Sequence, residues 1–185
     1  MATRLVALLR GINVGRSKRV PMIQLRELLV GLGYTDVTTY LQSGNAVFTC
    51  TPKAARMASQ DIEEAVAREA GVTCRVIVRS PAELAAAIAA DPLLGVATDP
   101  ARHLVGFLAA DPQLDAVARL DALDVSPDQI RVVGRHVYLW CPNGVLASPL
   151  NKVGWERSLG VAATTRNWST VTKLAALAGV GQETS

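Results

Sequence analysis

The segment Arg10-Gly11-Ile12-Asn13-Val14-Gly15-Arg16-Ser17-Lys18-Arg19 places four cations around two glycines, after an apolar run and before a helix-like one. Glycines let backbone N–H groups approach an anion, and a helix N-terminus adds a favourable dipole. The segment is not a Walker A loop, because Gly11 and Gly15 are four apart and no Gly-Lys follows. It is not GxGxxG either, and the plainer reading is a basic strand-to-helix connection. Ser43-Gly44-Asn45 is a second polar cluster, of a composition that turns also use. A third runs from Thr164 to Leu174. At about 100° per residue its Trp168, Val171, Ala175 and Ala178 share an apolar face, and Arg166, Ser169 and Lys173 share the opposite one. Thr165 or Asn167 is the expected cap of that helix. Arg and Lys side by side suit phosphate or carboxylate recognition. The expected ligand-binding residues are therefore Arg10, Asn13, Lys18, Ser43, Asn45, Arg166, Asn167, Trp168 and Lys173. A fourth stretch, Cys141-Pro142-Asn143-Gly144 through Lys152, reads as a loop and helix start in which Lys152 is the residue of interest.

General acid–base chemistry needs His, Glu, Asp or Lys beside the reacting atom. No histidine or cysteine in these segments stands as a nucleophile–base pair, so no catalytic residue is assigned. Cys50, Cys74 and Cys141 show no CxxC spacing and read as buried small hydrophobes. His103 and His136 are the only histidines, with no clustered cysteine or carboxylate, so neither a metal nor a cofactor is expected.

The elements that must position these residues follow from periodicity. Thr3 to Leu9 reads as a strand, and Pro21 opens a helix with Met22, Leu25, Leu28, Leu29 and Leu32 at helical spacing. Val37–Leu41 and Ala46–Cys50 read as strands across a tight turn, and Pro52–Ala70 as one helix closed by Gly71. Cys74–Val78 is a strand, and Ser80-Pro81-Ala82-Glu83 is a capping box opening a helix to Ala90. The expected fold class is α+β, with a ferredoxin-like βαββαβ first half. Asp91-Pro92 and Asp99-Pro100 bracket a linker. The second half reads as a strand from His103 to Leu108, a helix from Pro112 to Leu123, a hairpin across Gly134-Arg135, and C-terminal helices at 150–159 and 167–178. The expected domains are 1–91 and 102–185, two related α+β halves that could form one compact unit. In a βαββαβ sheet the loop after the first strand and the turn between the second and third lie at the same end, so Arg10–Arg19 and Gln42–Asn45 should be neighbours.

Several pieces carry a family resemblance. They are Leu8-Leu9-Arg10-Gly11-Ile12-Asn13-Val14-Gly15, Pro21-Met22 with Leu25-Arg26, Gly33-Tyr34, Val37 through Gln42-Ser43-Gly44-Asn45 to Phe48, and Leu159-Gly160-Val161 through Thr164-Thr165-Arg166-Asn167-Trp168 to Lys173-Leu174. On these the chain resembles the bacterial family catalogued as domain of unknown function 1697. The resemblance implies an α+β fold and implies no activity. Similar proteins tend to carry Gly or Asn where Arg16 stands, and Ser-Lys-Leu where this chain has Ser148-Pro149-Leu150.

The chain has 185 residues, half of them hydrophobic and 19% charged, which excludes a disordered tail protein. No apolar run is long enough to span a bilayer, and the run Leu5–Leu9, closed by Arg10, is too short for a secretory signal. A cytoplasmic protein is expected. Residues 1–60 balance to +6, 61–144 to −5 and 145–185 to +2, so both ends are basic and the middle is acidic. The best reading is a binding module for an anionic small molecule, a nucleotide or a nucleic acid, although the RRM signature is absent and aromatics are only 4% of the chain. One alternative is an enzyme on a small phosphorylated or carboxylated substrate, with Arg10, Arg166 and Lys173 stabilising charge and Lys18 or Lys152 as base. The other is a structural or interaction protein whose acidic middle and basic ends pair between subunits. The oligomeric state is left open.

Overall fold

Thr3–Arg10 forms β1, and Val6, Ala7, Leu8 and Leu9 are fully buried there. A strand apolar on both faces belongs at the centre of a sheet, and β1 takes that place in the computed structural model, which describes residues 2–15 and 18–181. Arg16 and Ser17 of the glycine loop lie outside the described residues. The chain then forms α1 (Met22–Gly31), β2 (Thr35–Tyr40), β3 (Asn45–Cys50), α2 (Pro52–Ala55), α3 (Ala58–Ala70), β4 (Arg75–Arg79) and α4 (Pro81–Ala89). The first sheet has the order β2-β3-β1-β4, and every pairing in it is antiparallel. On one face, Leu5, Ala7 and Leu9 of β1, Ala46 and Phe48 of β3 and Val76 of β4 pack with Leu25 and Leu29 of α1 and Ile62 and Val66 of α3. Tyr34 stacks on Phe48 at 4.6 Å, and burial, above all, pushes its hydroxyl up to about 12.

The expected helix over 52–70 is two helices. Thr51 Oγ1 accepts from Ala54 N to start the first (3.2 Å). At Met57 (φ −106°, ψ −2°) the backbone leaves helical geometry, and its N–H reaches back only to Ala54 O, which breaks the run. The capping box does form: Ser80 N donates to Glu83 Oε2 (2.8 Å), and Glu83 N donates to Ser80 Oγ (3.2 Å).

The second sheet uses β5 (His103–Leu108), β6 (Gln129–Val133), β7 (His136–Trp140) and β8 (Ala163–Asn167), in the order β6-β7-β5-β8, again all antiparallel. Between them lie α5 (Leu114–Asp121), a 3-10 turn (Val145–Ala147), α6 (Leu150–Val153) and α7 (Trp155–Leu159); α8 (Trp168–Leu177) follows. The strand β8 corrects the sequence reading, which took Asn167–Ala178 as helix and drew Arg166 and Lys173 onto one helical face. Ala163-Thr164-Thr165 is small and β-branched, and it pairs with Leu108, Phe107 and Gly106. Arg166 is thus a strand residue, and the helix begins two residues later.

The chain divides into two compact units, 1–85 with 174–185, and 86–173. That division falls earlier than the 91–102 linker and returns the end of the chain to the first unit. The units repeat one plan. Leu8 and Phe107 each pair with the first residue of the third strand, Asn45 and His136. Two residues back, Val6 pairs with Arg79 and Val105 with Arg166. Both arginines are buried, and each donates Nη1 to the carbonyl of the residue before it, Val78 (3.0 Å) and Thr165 (2.8 Å). Each is followed at once by a helix-capping side chain, Ser80 and Asn167.

A Cβ at Gly106 would stand 3.0 Å from Trp155 Cη2 and 3.4 Å from Val137 Cβ, because the indole packs against β5 at this residue. Gly106→Val should therefore lower stability by ~1–3 kcal/mol, read as a shifted urea midpoint. An unchanged midpoint would contradict the packing.

Candidate functional site

The antiparallel pairings bring three chain segments to one end of the first sheet: the loop after β1, the β2–β3 turn and the start of β4. Arg10 pairs in register with Arg75. The loop and the turn are tied by one side chain. Asn13 Nδ2 donates to Gln42 O (2.7 Å) and to Val20 O (2.9 Å), and Asn13 Oδ1 accepts from Val20 N (2.8 Å). Asn13 N also donates to Lys18 O (2.9 Å), which closes the loop on itself. The expected proximity of Arg10–Arg19 to Gln42–Asn45 is thus seen directly.

The turn is equally constrained. Leu9 N donates to Gly44 O (2.8 Å), and a Cβ on Gly44 would stand 2.7 Å from Ile12 Cδ1. Gly44 also has φ +83°, so glycine is required here on two counts. Asn45 is fully buried and donates Nδ2 to Tyr40 O (2.8 Å) and Ser43 Oγ (3.0 Å). Among the described residues, four non-glycine positions have positive φ, and Asn13, Lys18 and Leu41 are three of them. For Leu41 (φ +57°) this conformation costs ~1–2 kcal/mol. Leu41 and Val14 are also solvent-exposed, at 51% and 69%.

Arg10, Lys18, Arg19, Ser43 and Arg75 face solvent. Glu63 of α3 is the carboxylate seen among them: its Oε1 accepts from Val76 N (2.8 Å), and its Oε2 is 3.4 Å from Arg75 Nη1. Cys74 registers the same field. Burial pushes its thiol up to about 11, Glu63 adds to this, and Lys18 opposes it. At neutral pH that thiol is protonated and no nucleophile. This end of the sheet therefore gathers exposed cations, Arg10, Lys18, Arg19 and Arg75, whose charge favours an anionic neighbour.

The other four expected residues belong to the second unit. Arg166 is buried; its Nη1 donates to Thr164 Oγ1 and Thr165 O (both 2.8 Å), and desolvation lowers its guanidinium to about 10. Asn167 Oδ1 accepts from Thr170 N (3.0 Å), so Asn167 caps α8. Trp168 stacks on His103 with centroids 4.6 Å apart. Lys173 is exposed on α8. In the 141–152 stretch, Ser148 donates to Asp128 and accepts from Leu150 N (3.1 Å), which fixes a helix start, and Lys152 is exposed. Among the described residues, no group of three His, Cys, Asp or Glu side chains could hold a metal ion. No helix of the described residues is long and apolar enough to cross a membrane.

Sequence reasoning missed Arg75, Glu63 and the strain at Leu41. Arg75 was within reach, because an all-antiparallel sheet sets the start of its fourth strand beside the end of its first. Asn13→Ala should cost ~1–3 kcal/mol through unpaired backbone groups at Val20 and Gln42, with faster proteolysis inside 11–20. Leu41→Asn should leave stability equal or higher, since Asn tolerates this backbone region; a clear loss in thermal unfolding would contradict the strain.

The family model described as protein of unknown function (DUF1697) matches residues 2–138, and the chain belongs to that family. A solved structure titled as that of conserved bacterial protein SP0830 from Streptococcus pneumoniae is similar to it, with a TM-score of 0.75 and 25% identity over 96% of this chain and 99% of that one. No curated protein gives a match.

Proposed function

We propose that this member of the DUF1697 family binds an anionic ligand, a nucleotide or a nucleic acid, at the loop end of its first sheet. The observation that carries the reading is the gathering of Arg10, Lys18, Arg19 and Arg75 around a glycine loop that Asn13 fastens to the β2–β3 turn. Arg10 stands opposite Arg75 in the β1–β4 register, with Glu63 beside the latter, so two cations lie together at this edge of the sheet. Leu41 and Val14 add exposed apolar surface beside the cations, which suits a ligand with an anionic group and an apolar or aromatic body. The same reading takes the first unit as ferredoxin-like, supported by its strand order, and the second as a variant with two short helices before its last strand. It also places the protein in the cytoplasm, where three buried free thiols are at home.

Titration calorimetry with a nucleoside monophosphate, inorganic pyrophosphate and a short single-stranded oligonucleotide tests this. Arg10→Ala and Lys18→Ala should each weaken binding about tenfold or more, as loss of a charge-assisted contact does. Oligonucleotide affinity should fall steeply with salt. Binding that is unchanged in the Arg10→Ala/Lys18→Ala double variant would move the ligand elsewhere, and no binding of any of the three at low salt would remove the reading.

A further inference from the structure

In the second unit a histidine, a carboxylate and an indole are buried against one another. His103 opens β5 and is 2% exposed. Its Nε2 lies 3.1 Å from Asp91 Oδ2, and the Asp91 side chain is wholly buried. The two atoms approach without hydrogen-bond alignment, and neither has another partner. The other oxygen, Asp91 Oδ1, accepts from Leu93 N (2.8 Å) and fixes the turn that follows α4. On its flat face His103 stacks with Trp168, the first residue of α8, at an interplanar angle of 12°. One imidazole thus holds three pieces of chain: the exit from α4, the start of β5 and the start of α8. The chain passes between its two units within α4 and within α8.

We infer that His103 is an acid-sensitive latch, which at neutral pH fastens the 91–97 turn and the first turn of α8 to β5 and which protonation releases. Asp91 comes from the segment after α4. From β7, Tyr138 donates its hydroxyl to Ala87 O (2.7 Å), and burial and then Asp91 keep that phenol protonated. From β8, Arg166 pairs with Val105 and turns Nη1 to Thr164 and Thr165. Trp168 and Trp140 bring no charge. The neighbouring Arg102 is paired with Asp99 at 3.2 Å.

The direction follows from desolvation. Burial is the largest influence on His103 and lowers its pKa from the ordinary imidazole value, outweighing the opposing attraction of Asp91. The latched state therefore binds the proton less readily than an opened one. Its stability is fully present above the ordinary value of about 6.5 and is lost as pH falls through the lowered one.

Hydrogen exchange of the whole protein between pH 8 and 5, corrected for intrinsic exchange chemistry, reads the opening. Amides of 91–97 and 168–171 should open up to tenfold more per pH unit below about 6.5, while the β1–β3 amides should not. In His103→Gln that dependence should vanish. The same slope in His103→Gln, or a flat profile in the unaltered protein, overturns the latch. Because that variant could fail to fold, imidazole NMR of the unaltered chain gives an independent reading, and only two histidines need assigning. His103 should titrate below 6.5, with the Trp168 indole shifting at the same midpoint. Titration at or above 6.5, or an indole that does not respond, overturns the proposal.

Discussion

Everything at the loop end of the first sheet depends on the double pairing of β1. Flanked by β3 on one side and β4 on the other, both antiparallel, β1 delivers its C-terminal end to the place where β3 and β4 begin. That constraint is topological and tolerates no slip. A shift of one residue would turn Leu5, Ala7 and Leu9 out of the helix-covered core and the opposite row into it. Once the strands are in register, Asn13 needs only its short amide to tie the loop to the turn, and Gly44 must be bare to let Ile12 pass beneath it.

The second unit applies the same strand order with different loops. Its β6–β7 hairpin turns in two residues, Gly134 and Arg135, where the first unit uses four. The end of β5 leads to α5 through Ala109–Gln113, which carries Asp111 and no cation. The plan is repeated, down to the buried arginine opposite Val6 and Val105, but the cationic glycine loop is not. This separates a scaffold common to both units from a feature that belongs to one of them. Loops of this kind tolerate variation that strands do not.

Much of this was legible in the residues. The apolar run of β1, the β-branched β2 and β3 and the Ser80–Glu83 box each had a local signal that agreed with the tertiary structure. The strand β8 was hidden because Ala163–Asn167 runs straight into α8, and a helical period fits Trp168 onward well enough to absorb the residues before it. At the site, the glycine loop before a helix and the Ser-Gly-Asn turn beside it make Asn13 and Asn45 expected ligand contacts. In the fold they satisfy backbone groups, which side-chain type alone cannot distinguish. The strain at Leu41 has no sequence signal, since leucine is a rare choice for a left-handed position.

The most direct test of the central claim is a map of backbone amide shifts during titration with inorganic pyrophosphate at low salt. The account predicts perturbations concentrated in 11–20, 41–45 and 74–76, saturating together with a single dissociation constant. Saturable shifts confined to any other surface, or no saturable shifts at all, would contradict it.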